Sequence, residues 1–388
     1  MRQFWGGAPT REDGSPATGG VRAALMAAIG RGEAGQPFGG EVGPWRRREG
    51  DEGTHDESAR EHPAGYIAGD DLVCAVNTAL LLGKPLLLTG SPGTGKSQLA
   101  ERVAWEFNLG PVQRFESQSL SEAMDLFYRF DLVGRLAAVE AFKAAQAMGE
   151  APDRRALSVA RFLNFGPLGK AILRAAPEQH DRLRTLGLPE DALKREPQPR
   201  PSVVLIDEID KTSRDFPNDL LNSIERKEFV VRELADGLVR VPDDESLHPI
   251  VLITSNSERE LPPPFLRRCI YYHIPDPTLE MLAKILRSRV TGSGEGPDLT
   301  RLHPLYADVL ELFAKFRESG AGSLAYQPGT SELLDLSRAL AHGGRADPHA
   351  RLASGGNFAE LKRAASTLVK HREDRGELDS VLKRWAPG

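Results

Sequence analysis

Cysteine is scarce in this chain and scattered where it occurs. Cys74 and Cys269 are the only two in 388 residues, and neither has a second cysteine beside it. That excludes a disulfide scaffold and a thiolate metal site, and it fits a reducing, cytoplasmic setting. Long apolar runs are missing too: no stretch of 18 apolar residues occurs, and the N-terminal MRQFWGGAPTREDG has no apolar segment after its charge. Neither a membrane span nor a secretory leader is expected. Nor is there a strong charge of one sign, since 50 basic and 55 acidic residues leave a formal net charge of −5. A protein that coats nucleic acid would not carry that balance, so any nucleic-acid contact must be local. What the chain does have is length, enough for two domains and a sizeable core.

Residues 1–62 are rich in Gly, Arg, Glu and Asp, with one weakly helical stretch, VRAALMAAIG. Such a composition buries too little apolar surface to offset the entropy of ordering, so a flexible arm is expected. Within it, Trp45 followed by Arg46, Arg47 and Arg48 reads as a solvated charge cluster or as a contact point for an acidic or nucleic-acid partner. From residue 70 the pattern changes. DDLVCAVNTALLLG has helical periodicity and opens on two aspartates, which suit a helix N-terminus. PLLLTG, SVVLIDEID at 202–210 and PIVLITSN at 249–256 are short apolar runs that close on polar turns, as buried parallel strands do. Strands alternating with helices predict an α/β fold whose parallel sheet is covered by helices on both faces.

Between the first and second of these runs lies a long irregular region. VQRFESQSL predicts one more strand with its exit loop, AAVEAFKAAQAMGE an Ala-rich helix, and ARFLNFGPLGKAIL a hairpin or turn leading into another helix. Polar helical and proline-rich sequence follows, up to the next strand. After Pro277 strand-like runs disappear, and helices are predicted at about 278–290, 304–318, 329–342 and 356–371. Gly-rich breaks such as TGSGEGPD and AHGGRADPHARLASGG separate them. The expected division is an arm at 1–62, a sheet domain at 63–276 with an insert at about 119–200, and a helical domain with its tail at 277–388.

GSPGTGKS supplies Gly90, Ser91, Pro92, Gly93, Thr94, Gly95, Lys96 and Ser97, a full match to G-x-x-x-x-G-K-[ST]. It follows a predicted strand and precedes the helix QLAERVAWEF, which is the context the motif requires. Glycines let backbone N–H groups face a phosphate with no Cβ in the way, and the helix N-terminus adds its positive end. Lys96 would reach the β- and γ-phosphates of ATP, and Ser97 would ligate Mg2+. In VVLIDEID, Asp207 and Glu208 fall at the carboxyl end of a central strand, where ligands of open α/β sheets bind. Asp207 would hold Mg2+ through water, and Glu208 would polarise the attacking water. Asp210 reads as a helix cap or a surface contact. Asn256, ending the third apolar run, could bond both the γ-phosphate and the water, or could serve as a cap.

A last stretch, ELPPPFLRRC at 260–269, carries Arg267 and Arg268, which in isolation read as solvated or as partners of Glu258 and Glu260. Together, GSPGTGKS, VVLIDEIDKTSRDFPNDLLNSIERKEF, ITSNSERELPPPFLRRC and YYHIPDP, in that order, resemble the AAA+ ATPases, and within them the MoxR-like branch, over about residues 64–342. The resemblance implies an AAA+ P-loop NTPase core with a C-terminal all-α lid, hydrolysing ATP with Mg2+. It also implies that the Arg267–Arg268 block is an arginine finger reaching a neighbour's ATP site, and so a homo-oligomer, a hexameric ring. Arg267 is favoured as the finger, with Arg268 a structural or second contact. The stretch from Lys96 to Asp207 exceeds a plain strand–helix–strand unit, and MoxR-like proteins carry a hairpin insert in helix 2; RFLNFGPLGKAIL resembles the return from it. The surplus around 120–195 either contacts a partner or is solvated.

One departure concerns the lid. Ser331 and Glu332 stand where many relatives present an arginine, with Arg338 two turns later, so an arginine on ATP from the lid is not expected. SELLDLSRAL is closer to the CoxD-like members, which accompany von Willebrand factor A domain proteins. The resemblance thus implies remodelling or maturation of a partner protein, often one with that domain and its client complex. Two rival readings remain. A nucleic-acid motor of a restriction or defence system would need a basic cluster on the insert, where Arg129, Arg135, Arg154 and Arg155 are mixed with acids. A slow nucleotide-dependent switch or scaffold is opposed by the intact Asp207–Glu208 pair.

Overall fold

The computed structural model describes residues 63–107, 109–190, 192–193, 195–226, 228–290, 302–319, 324–342 and 346–383. The arm at 1–62 with its Trp45–Arg48 cluster, the break TGSGEGPD and part of the second Gly-rich break lie outside them. The chain divides into two compact units, one holding Gly69–Thr89 and Ser97–His273, the other Gly90–Lys96 and everything described from Ile274 onward.

The first unit is built on five strands, β1 (Leu86–Thr89), β2 (Gln113–Glu116), β5 (Val203–Asp207), β8 (Ile250–Ser255) and β9 (Ile270–His273). They stand in the order β2-β5-β8-β1-β9, and every neighbouring pair is parallel. The apolar runs dictate this. Successive strand residues point to opposite faces, yet all four residues of β1 are buried, as are the first four of β5, so both faces of the sheet must be covered. Helix α1 (Asp70–Leu82) packs on β1 and β9, and α4 (Pro167–Ala175) on β2 and β5. The edge strands β2 and β9 carry the exposed residues, and that explains why β9 has no unbroken apolar run to betray it in the sequence.

The remaining elements of this unit are α2 (Lys96–Glu106), α3 (Leu132–Ala147), α5 (Pro177–Thr185), α6 (Phe216–Arg226), the short α7 (Pro263–Leu266), and two antiparallel hairpins. One hairpin pairs β3 (Tyr128–Phe130) with β4 (Leu163–Phe165); the other pairs β6 (Glu228–Val230) with β7 (Leu238–Arg240). The hairpin expected within ARFLNFGPLGKAIL is therefore assembled from two distant segments, with α3 between them. Helix α3 starts earlier than the Ala-rich stretch predicts, because the Asp131 side chain accepts the Gly134 N–H at 2.8 Å and caps it. It buries none of its residues.

The second unit is helical: α8 (Leu279–Val290), α9 (Pro304–Ser319), α10 (Thr330–His342), α11 (Gly355–Ala364) and α12 (Arg375–Lys383). Leu305, Val309, Leu312, Phe313 and Phe316 of α9 lie at helical spacing on one face and are fully covered. The helix predicted at 356–371 stops at Ala364, and the Thr367 hydroxyl bonds the Ala364 carbonyl in the turn that follows. Helix α12 was not anticipated, though its Leu378, Val381 and Leu382 complete this core. No described helix is long and apolar enough to cross a membrane. Both cysteines are free; Cys74 is exposed, and burial pushes the Cys269 thiol up to about 12.

Candidate functional site

Gly90–Lys96 forms the loop that continues β1 into α2. Its glycines are required by space and by torsion. Gly90 has φ 144°, and a Cβ there would sit 2.6 Å from the Ile274 carbonyl oxygen; Gly93 has φ 78°, and a Cβ would meet the Ser331 hydroxyl at 2.9 Å. The loop curls around its own lysine: buried Lys96 donates from Nζ to the carbonyls of Gly90 and Ser91 at 2.7 and 3.0 Å. The Thr94 hydroxyl donates to the Ser91 carbonyl at 2.8 Å. Because α2 begins at Lys96, its first-turn N–H groups lack intrahelical partners at this point, as an anion site needs.

Ser97 opens a chain of polar contacts along the carboxyl edge of the sheet. Its hydroxyl donates to both oxygens of Asp207, at 2.8 and 2.9 Å. The Thr254 hydroxyl, from the neighbouring β8, also donates to Asp207, and it accepts the Glu208 N–H at 2.9 Å. A hydroxyl beside a carboxylate is a hard-oxygen donor set. Among the described residues no three His, Cys, Asp or Glu side chains cluster as a metal cage. Mg2+ needs none, since it keeps several waters and takes one or two protein oxygens alongside phosphate, so the Ser97–Asp207 pair fits that ion.

Glu208 and Ser257 are the two non-glycine residues with positive φ among the described residues, at 55° and 63°. Strain of this kind persists only where the surroundings enforce it, and it gathers at functional sites. The Glu208 carboxylate is engaged at both oxygens: Oε1 accepts from the Asn256 amide at 3.2 Å, and Oε2 takes an ion pair from Lys211. The Lys211 ammonium is held above its ordinary pKa by Glu208, with Glu258 and Asp210 adding to it. Asp210, expected as a helix cap or surface contact, is neither. It is buried, and its Oδ2 accepts the backbone N–H groups of Asn256 and Glu258 at 3.2 and 3.0 Å, holding the loop after β8. Asn256 does not use its side chain as a cap.

The two arginines part company. Arg268 pairs through Nε with Glu225 of α6 at 3.0 Å, rather than with the nearby Glu258 or Glu260. Arg267, at the end of α7, is exposed and makes no side-chain hydrogen bond or ion pair among the described residues. On the insert, Arg129 is bonded twice to Asp125, at 2.7 and 2.8 Å, holding that carboxyl below its ordinary range, and Arg135 lies over the Phe130 ring. In the helical unit, Ser331 abuts Gly93, buried Glu332 accepts the Gly329 N–H at 2.8 Å and the Tyr326 hydroxyl at 3.2 Å, and Arg338 faces Asp335.

Reading the sequence missed two members of this edge, Thr254 and Lys211. A threonine interrupting the apolar run IVLITSN was the available signal for the first. The second had none, because its contact depends on the left-handed turn at Glu208.

The family model described as AAA domain (dynein-related subfamily) matches residues 85–269, which hold the loop, both carboxylates, Asn256 and the two arginines. A comparison with the curated proteins found no match. Among solved structures, the chain is similar to the crystal structure of the FIGL-1 AAA domain in complex with ADP, at 17% identity over 78% of each chain with a TM-score of 0.33. Over residues 85–269 the matched AAA domain model, the sheet order and the Gly90–Lys96 loop agree on the fold of an AAA+ P-loop NTPase core, which a helical C-terminal unit follows.

Proposed function

We propose that the protein is an Mg2+-dependent ATPase that works as a homo-oligomeric ring, a hexamer, and couples hydrolysis to remodelling or maturation of a partner protein. The observation that carries the hydrolytic part is the meeting of Ser97, Asp207, Thr254, Glu208 and Asn256 at the carboxyl ends of β5 and β8. In this reading Ser97 and Asp207 hold Mg2+, which when bound would neutralise charge on the phosphate oxygens. Lys96 exchanges its own loop's carbonyls for the β- and γ-phosphates. Glu208 accepts the proton of the water that attacks the γ-phosphorus as ADP departs, and Asn256 orients that water.

Assembly enters through Arg267. A guanidinium at the end of a short helix, exposed and without a partner among the described residues, suits delivery into a neighbour's site, while Arg268 is paired with Glu225. The MoxR-like and CoxD-like wording of the sequence supports a protein client, with a von Willebrand factor A domain protein as the candidate adaptor. On the insert, Arg129 and Arg135 engage Asp125 and Phe130, which leaves the exposed Arg154 and Arg155 as the basic residues that the nucleic-acid reading could use. Glu208→Gln tests the hydrolytic assignment: nucleotide binding should persist while turnover falls by about 10²- to 10⁴-fold, the range of a general base. Turnover equal to wild type would remove Glu208 from the mechanism.

A further inference from the structure

We infer that Lys211 is a positioning residue that latches Glu208, and that release of this latch sets the basal rate of ATP turnover. The inference rests on the hydrolase reading above and adds a residue to it. Three observations carry it. Both oxygens of the Glu208 carboxylate already have donors, the Asn256 amide and the Lys211 ammonium, so the two groups assigned to the attacking water are turned toward each other instead. The backbone builds this arrangement: φ of 55° at Glu208 opens the tight turn Ile209–Lys211, whose Lys211 N–H returns to the Glu208 carbonyl at 3.0 Å, while Ser257, at φ 63°, follows Asn256. The Glu258 charge on the adjacent loop adds to the hold that Glu208 has on the Lys211 ammonium.

A latch of this kind is weak by construction. Lys211 and Glu208 side chains are 45% and 40% exposed, and exposed pairs hold with little free energy. The ammonium lowers the basicity of the Glu208 carboxylate, so Glu208 takes up a water proton more readily once Oε2 has left it.

The test is steady-state ATP turnover of the full chain at saturating ATP and Mg2+, with nucleotide affinity measured separately. Lys211→Met should raise kcat by about two- to five-fold with ATP affinity unchanged, and Lys211→Arg should stay near wild type. Raising ionic strength should speed wild type, by screening the pair, but not Lys211→Met, with assembly followed by light scattering in the same samples. A purely structural role would give no such difference in salt response. If Glu208→Gln is inactive and Lys211→Met is no faster than wild type, the latch is wrong and the hydrolase reading survives. If Glu208→Gln turns over like wild type, the hydrolase reading fails and takes the latch with it.

Discussion

Strand β5 and helix α3 are both apolar segments of the same unit, and their fates are opposite. Val203, Val204, Leu205 and Ile206 are at most 1% exposed, whereas α3 buries none of its residues and leaves Val133 77% exposed. Apolar content alone thus says little about the core. In β5 the apolar residues are consecutive and covered on both faces, and the register that sets Ile206 beside Ile253 brings Asp207 up to the Thr254 hydroxyl. The polar edge is a product of that packing. Helix α3 has no such constraint. It stands on its Asp131 cap and the intrinsic helix preference of its alanines.

The contrast should show first in stability. Leu205→Ala removes a fully buried side chain from the sheet and should cost about 2–5 kcal/mol in denaturant unfolding. A loss below about 1 kcal/mol would mean that the β5 core is not packed as described.

Charge pairs divide in the same way. The Arg102–Glu106 pair of α2 is buried at 3% and 1% exposure, while Glu140–Lys143 on α3 is 73% and 65% exposed. Burial pushes the Glu106 carboxyl up to about 7, with Arg102 opposing. Since the folded-state value is raised, its contribution to stability is fully present below about pH 4.5 and is lost as pH rises through about 7, worth about 3 kcal/mol over that window. Unfolding measured across that range should lose part of its pH slope in Glu106→Gln. An unchanged slope would contradict the burial of this carboxyl. At the small end, Val133→Asp on the outer turn of α3 should move stability by less than about 0.5 kcal/mol. A loss above about 2 kcal/mol would mean that α3 is covered by something in solution.

The same contrast explains what the sequence revealed. The positions of Gly90–Lys96, Asp207, Glu208 and Asn256 at the ends of β1, β5 and β8 were legible because each closes a short apolar run, and such runs mark buried strands. The edge strand β9 and the three-residue strands of the hairpins were not, being too short or too mixed for a period to register. Asp210 was misplaced because its partners, the N–H groups after β8, are distant in the chain. Lys211 escaped because its contact depends on a left-handed glutamate that only the tertiary surroundings enforce. Which arginine lacks a partner among the described residues is set by Glu225, which is distant in the chain and pairs with Arg268.

In the proposed ring, a complete ATP site needs a neighbour's Arg267. The direct measurement is ATP turnover per subunit against protein concentration, with mass followed by light scattering in the same samples. The rate per subunit should rise as a ring assembles on ATP, and Arg267→Ala should abolish that rise while assembly continues. A monomer that hydrolyses as fast as any assembly would contradict the account and leave Arg267 a solvated surface charge.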